Sequence, residues 1–145
     1  MTDLALLEKA IVIAANEHRG QTDRYGAPYI LHVLRVMARV TTVPQKTVAV
    51  LHDLIEDTDW TFDRLRAEGF PAEVVTAIDA LTKRDGEAYD DFVKRSSANA
   101  LACAVKVADL EDNLDPRRMS EVGEKETIRL RKHLKAWKQL RQTFA

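Results

Sequence analysis

Residues 48–58 read V-A-V-L-H-D-L-I-E-D-T, and this segment carries the pattern that decides the fold. In a helix, at about 100° per residue, one histidine and three carboxylates share an arc of about 140°: His52, Asp53, Glu56 and Asp57. Almost every other position is apolar, which predicts a helix surrounded by other parts of the protein. Three carboxylates in such surroundings are costly, through desolvation and mutual repulsion, unless a cation neutralises them.

A divalent metal ion would resolve this conflict, because the adjacent His52 and Asp53 supply one nitrogen and one oxygen donor. An isolated His-Asp pair is more often a core histidine beside an acidic surface patch. Two further residues in apolar segments change that balance. His32 lies at the start of an apolar helical segment, and Asp109 follows nine residues of which only Lys106 is charged. An unpaired carboxylate there is costly, so the four side chains together predict a metal site.

The rest of the chain predicts an all-α fold. Only five glycines and four prolines occur among 145 residues, and 46% of the residues are hydrophobic. Apolar residues recur at helical spacing, which predicts a bundle of seven or eight helices in a single domain over 1–145. The helical segments are approximately 4–19, 30–40, 45–57, 61–69, 71–81, 89–95, 98–114 and 118–142.

Charge is balanced over the whole chain but not along it. Lysine and arginine number 22 and aspartate and glutamate 23, a net charge of −1, which disfavours a nucleic-acid partner. Residues 117–145 contain nine basic and three acidic residues and carry +6, which leaves −7 for the remainder. Basic residues of the last helix either form a solvated face or help to attract phosphate groups. Four apolar residues line one side of that helix: Leu130, Leu134, Trp137 and Leu140.

The single cysteine, Cys103, excludes an internal disulfide and any cysteine-rich zinc module. The longest apolar stretch near the start, residues 10–15, is too short to span a bilayer, and no signal-peptide pattern precedes it. We therefore expect a cytoplasmic protein with no membrane partner. The oligomeric state stays open, because the apolar side of the last helix fits either the core or a second chain.

The ordered set His32, His52-Asp53 and Asp109 resembles the H…HD…D signature of the HD-domain metal-dependent phosphohydrolases. Stand-alone members of one branch, the small alarmone hydrolases of the RelA/SpoT type, remove pyrophosphate from the 3′ position of ppGpp and pppGpp with Mn²⁺. The resemblance implies an HD-domain helical bundle with this activity and a part in the stringent response. Three segments are similar to motifs of the RelA/SpoT-type hydrolase domain: G-Q-T-D-R-Y-G-A-P-Y-I-L-H at 20–32, L-H-D-L-I-E-D-T at 51–58 and K-V-A-D-L-E-D-N at 106–113.

The resemblance also implies roles for the motif residues. Glu56 and Asp57 become the catalytic pair, which handles the attacking water and proton transfer. The remaining histidines, His18 and His133, stand among charged residues and are expected at the surface or behind the ligands. Four residues become ligands of a divalent metal, with Mn²⁺ as the expected ion: His32, His52, Asp53 and Asp109.

At the bound nucleotide the resemblance implies three residues: Arg24, Tyr25 and Asn113. Here the chain departs from the long family members, which carry a basic pair where this chain has Asp23, Arg24 and Tyr25. Asp23 could accept hydrogen bonds from guanine and Tyr25 could stack on the base, but a different nucleotide is an equally fair interpretation. Glu111 and Asp112 replace basic or neutral residues in the third motif, which predicts a more acidic rim.

Three functions are compatible with the sequence. The first is metal-dependent hydrolysis of ppGpp or pppGpp to GDP or GTP and pyrophosphate. The second keeps the metal and changes the substrate to another phosphorylated nucleotide, such as a nucleoside phosphate or NADPH. The third is a non-catalytic regulatory module that binds a nucleotide, and the intact Glu56 and Asp57 argue against it.

Overall fold

The computed structural model describes residues 1–143, and within them the chain forms nine α-helices and one 3-10 turn. The prediction of an all-α fold is confirmed, and the described residues contain no β-sheet beyond an isolated bridge between Thr22 and Pro28. The prediction of a single domain over 1–145 extends two residues beyond the described part. The helices are α1 (Asp3–Glu17), α2 (Tyr29–Arg39), α3 (Val43–Leu51), α4 (Leu54–Asp57), α5 (Phe62–Ala67), α6 (Ala72–Ala80), α7 (Tyr89–Ser97), α8 (Ala100–Asn113) and α9 (Glu124–Thr143).

Helix α3 lies at the centre of the bundle, where it packs against α1, α2, α6 and α8. Residues 47–51 are all buried, which confirms the helix surrounded by protein. Its start is well defined, because Thr42 and Gln45 form a capping box that satisfies the first free amide groups. The centre of the bundle therefore holds the His-Asp pair at a fixed depth.

The prediction of one continuous helix over 45–57 is wrong. Helix α3 ends at Leu51, a turn at His52 and Asp53 follows, and α4 covers only Leu54–Asp57. Asp53 has φ −102° and ψ 1°, outside the helical range. The physical reason is a competing hydrogen bond: the imidazole of His52 donates to the carbonyl of Ala49, the acceptor that an uninterrupted helix would offer to the amide of Asp53.

The C-terminal helix also differs from its predicted bounds of 118–142. Residues Pro116–Arg118 form the 3-10 turn, and α9 begins only at Glu124. Helix α9 packs on α7 and α8 around a second, smaller core of five buried residues: Val93, Cys103, Leu110, Ala136 and Leu140. Leu134 is 41% exposed, so the predicted apolar stripe is wrong at that position. No helix within residues 1–143 combines the length and apolar content needed to cross a bilayer.

Candidate metal centre and adjoining cleft

Four side chains that the sequence predicted as ligands meet at one point in the bundle. His32 comes from α2, His52 and Asp53 from the turn between α3 and α4, and Asp109 from α8. Donor atoms of His32, His52 and Asp109 all lie within 4.8 Å of one another. Asp53 joins them, because its Oδ2 is 2.9 Å from Nε2 of His52 and 3.8 Å from Nε2 of His32. The structure thus brings the whole predicted ligand set together.

Both histidines present Nε2 to this point because their other ring nitrogen is held. His52 donates from Nδ1 to the Ala49 carbonyl at 2.5 Å, and His32 donates from Nδ1 to Oδ2 of Asp112 at 2.6 Å. An acceptor at Nδ1 fixes the proton there and leaves a lone pair on Nε2. The Nε2 atom of His52 is buried without a hydrogen-bond partner. A metal ion at this point would bind the free Nε2 nitrogen.

The acidic side of the cluster is compensated by neighbouring donors. Lys106 Nζ lies 3.0 Å from Oδ2 of Asp109, and the hydroxyl of Tyr29 donates to Asp53. Burial raises the pKa of Asp109, but the charge of Lys106 and the adjacent imidazoles of His32 and His52 outweigh it and hold that pKa well below the usual range. Burial likewise opposes a raised pKa at His52, but the charge of Asp53 outweighs it. Protons on these histidines therefore compete with a metal for the same lone pairs.

The donor set fits a divalent ion. Two imidazole nitrogens and two carboxylates suit Mn, Fe, Co or Zn, and four protein ligands leave positions open on an octahedral ion for water and substrate oxygen. All four candidate ligands lie within the residues that the structure describes. A divalent metal site is therefore what the chemistry of these residues supports.

A cleft of about 390 Å³ opens beside the cluster, and His32, Asp53 and Asp109 form part of its wall. The three residues that the sequence assigned to the nucleotide all line it. Three further residues from the 3-10 turn and α9, which the sequence did not single out, complete this wall, and two of them are arginines. The cleft side chains outside the metal ligands include Arg24, Tyr25, Asn113, Arg118, Arg129 and His133.

Glu56 and Asp57 lie on α4 at the exposed edge of the site, and they do not form part of the cleft wall. Oε1 of Glu56 accepts a hydrogen bond from the backbone amide of Lys83 at 2.6 Å. Loss of solvent raises the pKa of Glu56, and the negative charge of Asp53 raises it further. The same two causes raise the pKa of Asp57. Both carboxyls are thus shifted towards neutral pH, as proton-transfer groups require.

Known proteins that are similar to this chain are named as GTP pyrophosphokinases and as guanosine-3′,5′-bis(diphosphate) 3′-pyrophosphohydrolases. No family model matches the sequence. A probable GTP pyrophosphokinase of Mycobacterium leprae is 32% identical over 125 residues, which cover 77% of this chain and 16% of the relative. A guanosine-3′,5′-bis(diphosphate) 3′-pyrophosphohydrolase of Vibrio cholerae is 34% identical over 97 residues, which cover 64% of this chain and 14% of the relative. The curated relatives are much longer, and the matches cover between 11 and 19% of them.

A solved structure gives the fold match over nearly the whole chain. A metazoan orthologue of SpoT, described as hydrolysing ppGpp with a role in starvation responses, superposes with a TM-score of 0.75 at 25% identity. The match covers 96% of this chain and 87% of the other. The chain is an HD domain of the RelA/SpoT type. The resemblance predicted from the three motifs is thereby confirmed.

The loop between α1 and α2, here called the first loop, is held together by hydrogen bonds to Asp23. Its Oδ1 accepts from the backbone amides of Tyr25 and Ala27, and its Oδ2 lies 3.4 Å from Nη2 of Arg118. These bonds give Asp23 a structural role in the loop. Tyr25 in turn accepts a hydrogen bond from Arg129 at 3.1 Å, so the first loop and α9 meet across the cleft of the HD domain.

One acidic and one imidazole side chain are more deeply buried than the sequence alone predicted. Asp112 was expected on an acidic rim, but its side chain is fully buried in the HD domain, because His32 and Arg35 surround it. Of the two places expected for His18, the surface is wrong: the side chain is buried, with Nδ1 2.7 Å from Oε1 of Gln21. The spacing of three residues between Asp109 and Asp112 was the available signal, since it places both on one side of α8.

His133 lines the cleft of the HD domain from α9. Burial lowers its pKa to about 4, and the nearby Lys106 charge adds to the effect. His133 is therefore neutral at physiological pH. Positive charge along this part of the wall comes from Arg118 and Arg129 instead.

Proposed function

We propose that the protein is a metal-dependent hydrolase that removes the 3′-pyrophosphate of guanosine alarmones and releases GDP or GTP and pyrophosphate. The observation that carries the proposal is that four candidate metal ligands meet beside a cleft lined by three arginines. Relatives in Vibrio cholerae, Aquifex aeolicus and Haemophilus influenzae are named 3′-pyrophosphohydrolases of guanosine-3′,5′-bis(diphosphate). The similar metazoan protein is described as hydrolysing ppGpp.

The proposed metal ligands are His32, His52, Asp53 and Asp109. We propose Mn²⁺ as the ion, because mixed imidazole and carboxylate donors suit it. When bound, the ion would lower the pKa of a water molecule and polarise a phosphoryl oxygen. Nδ1 contacts of the two histidines keep both Nε2 atoms aimed at the centre, and Lys106 holds the Asp109 carboxylate in place.

Glu56 is proposed to accept the proton of the attacking water. Partial burial and the negative charge of Asp53 raise its pKa above the ordinary value for glutamate, which makes it a stronger base. The amide of Lys83 orients its carboxylate through Oε1, which leaves Oε2 for the proton. Asp57, on the same short helix, is proposed to assist in proton transfer.

The cleft is proposed to bind the phosphates and base of the substrate. Arg24, Arg118 and Arg129 offset phosphate charge, since a guanidinium matches the geometry of a phosphate. Tyr25 offers an aromatic face for the base, and Asn113 offers an amide near Asp109. A small phosphorylated nucleotide, rather than a nucleic acid, is the partner that this cleft fits.

The decisive experiment incubates Mn²⁺-loaded protein with ppGpp and separates the products by anion-exchange chromatography. We expect GDP and pyrophosphate in equal amounts, since hydrolysis of one linkage yields one of each. His52→Ala should abolish both metal binding and product formation. Unchanged ppGpp, with a metal-loaded and folded protein, would contradict the proposal.

A second candidate keeps the reaction and changes the nucleotide. The carboxylate of Asp23 is engaged by two loop amides and lies near Arg118, so it offers guanine little accepting capacity. Stacking on Tyr25 alone does not distinguish one base from another. The same assay with NADPH and nucleoside phosphates tests this candidate: orthophosphate from one of these, with none of the expected products from ppGpp, would favour it. Binding without any turnover would favour a regulatory module.

A cytoplasmic location and a part in the stringent response belong to the same proposal. The free thiol of Cys103 is buried in the smaller core, where burial raises its pKa to about 11. A single protonated, buried thiol is compatible with a reducing compartment.

A further inference from the structure

We propose that Asp112 is a positioning residue that orients the metal ligand His32 and joins it to Arg118 in the wall of the cleft. The inference rests on the proposed metal centre, but it concerns a residue that lies behind the ligands. Asp112 lies three residues after Asp109 on α8 and is completely inaccessible to solvent. A carboxylate in such a position needs a compensating partner for each oxygen.

Four groups converge on the two oxygens of Asp112. Oδ2 accepts from Nδ1 of His32 at 2.6 Å and lies 3.0 Å from Nη1 of Arg118. Arg35 binds both oxygens, with Nε 2.8 Å from Oδ1 and Nη2 3.2 Å from Oδ2. Arg39 lies further away, with Nη2 3.9 Å from Oδ1. The forked contact with Arg35 restricts the carboxylate plane, and the plane in turn restricts the ring of His32.

The charge of Asp112 determines which nitrogen of His32 is free. The guanidinium of Arg35 contacts both of its oxygens, at 2.8 and 3.2 Å, and that of Arg118 lies 3.0 Å from Oδ2, so two cations pair with Asp112 as a carboxylate. An ionised carboxylate can only accept, so Nδ1 of His32 must carry the proton. Nε2 is then the nitrogen left for a metal ion, and it lies 3.0 Å from Oδ1 of Asp109. Carboxylates that hold a ligand histidine in this way also make it a better donor.

The two ligand histidines are held by different kinds of acceptor. His52 uses the backbone carbonyl of Ala49, which no substitution removes, whereas His32 uses the side chain of Asp112. Orientation of His32 therefore depends on one replaceable side chain. This asymmetry makes the inference testable at a single position.

Arg118 extends the same network to the cleft. In addition to its contact with the Asp112 side chain, Nη1 of Arg118 donates to the backbone carbonyl of Asp112 and to Oδ1 of Asn113, each at 3.1 Å. Nη2 of Arg118 lies 3.4 Å from Oδ2 of Asp23 in the loop between α1 and α2. Asp112 thus stands between a metal ligand on one side and a cleft-lining cation on the other.

The test replaces Asp112 with asparagine and measures the affinity for Mn²⁺ alone, by electron paramagnetic resonance of the free ion. We expect affinity to fall about 10- to 100-fold, the usual effect of losing a carboxylate behind a ligand histidine. Glu111→Gln is the matched control, because it removes the same charge one residue away from a half-exposed position, and its affinity should stay within about twofold of wild type. Equal affinity in wild type and Asp112→Asn would overturn the inference.

A measurement on the wild type alone covers the case in which Asp112→Asn does not fold. In ¹⁵N-labelled protein loaded with diamagnetic Zn²⁺, the imidazole of His32 should carry its proton on Nδ1, with Nε2 unprotonated. A proton on Nε2 would refute the inference without any variant. Neither readout uses a nucleotide, so absence of ppGpp hydrolysis would remove the proposed function and leave this inference standing.

Discussion

Lys106 is the buried cation of the metal centre, and its replacement by methionine should destabilise the metal-free protein. Its ammonium group lies 3.0 Å from Oδ2 of Asp109, and the two side chains are only 12% and 9% exposed. Methionine keeps most of the apolar stem and removes the charge. Asp109 would then be a buried carboxylate with one of its two oxygens uncompensated.

The size of the effect follows from this geometry. At 3.0 Å and an effective dielectric constant of about 20, the attraction is about 5 kcal/mol. Loss of one partner from a buried pair costs about 3–5 kcal/mol. Oδ1 of Asp109 retains His32 at 3.0 Å and His52 at 3.4 Å, so we expect the lower end, about 3 kcal/mol. For a domain of this size, that lowers Tm by roughly 6–12 °C.

Mn²⁺ should partly replace the missing charge, which separates this account from a simple packing defect. Thermal unfolding of Lys106→Met is measured with and without Mn²⁺, and the ion should raise its Tm more than that of wild type. Lys138→Met removes a charge from an exposed position of α9 and should change neither value. A Lys106→Met variant as stable as wild type without metal, or equally stabilised by Mn²⁺, would refute the reasoning.

Three other predictions follow from the site and the fold. Glu56→Gln should lower kcat for the proposed reaction by about 10²- to 10⁴-fold and leave the Mn²⁺ affinity unchanged, as steady-state kinetics and metal titration would record, and a lost metal would contradict its assigned role. The apparent Mn²⁺ affinity should decrease as pH falls through the raised pKa values of His32 and His52, because protons then occupy the ligand nitrogens. The decrease should begin above the ordinary pKa of 6.5. An Mn²⁺ affinity that does not change between pH 8 and pH 6 would argue against those ligands. Thr42→Ala should cost about 1 kcal/mol in urea unfolding through loss of the α3 capping box, with the exposed Thr41→Ala as control, and an unchanged midpoint would show that the cap contributes nothing.

The four metal ligands were predictable because each carries a polar, metal-binding group within an apolar helical segment. Burial of such groups is expensive, so the sequence itself signals compensation at His32, His52, Asp53 and Asp109. The central position of α3 was predictable for the same reason. The spacing of apolar residues indicates which side of a helix is buried, even when the neighbouring helices are not known.

The break after Leu51 was not predictable from periodicity. It depends on a ring nitrogen of His52 competing for the carbonyl of Ala49, and helical spacing contains no term for that competition. Asp112 presented a similar difficulty. Its spacing from Asp109 was visible, but its burial depends on where α2 places His32 and Arg35.

The sequence left open whether the last helix contributes to the site, for another reason. Arg129 and His133 lie about one helical turn apart, yet only the packing of α9 on α8 directs them towards the metal centre. A pattern of basic residues along a helix does not say which of them face a cavity. Tertiary packing alone identifies these two.

Ala49 gives one side of the metal centre a dependence on the interior of the protein. Its methyl group is completely buried in the main core, while its carbonyl holds the ring of His52. A larger residue at this position would shift the backbone and the donor nitrogen together. Substitutions are therefore tolerated far less well at Ala49, which lies behind the ligand His52, than at the partly exposed residues of α9 that line the cleft.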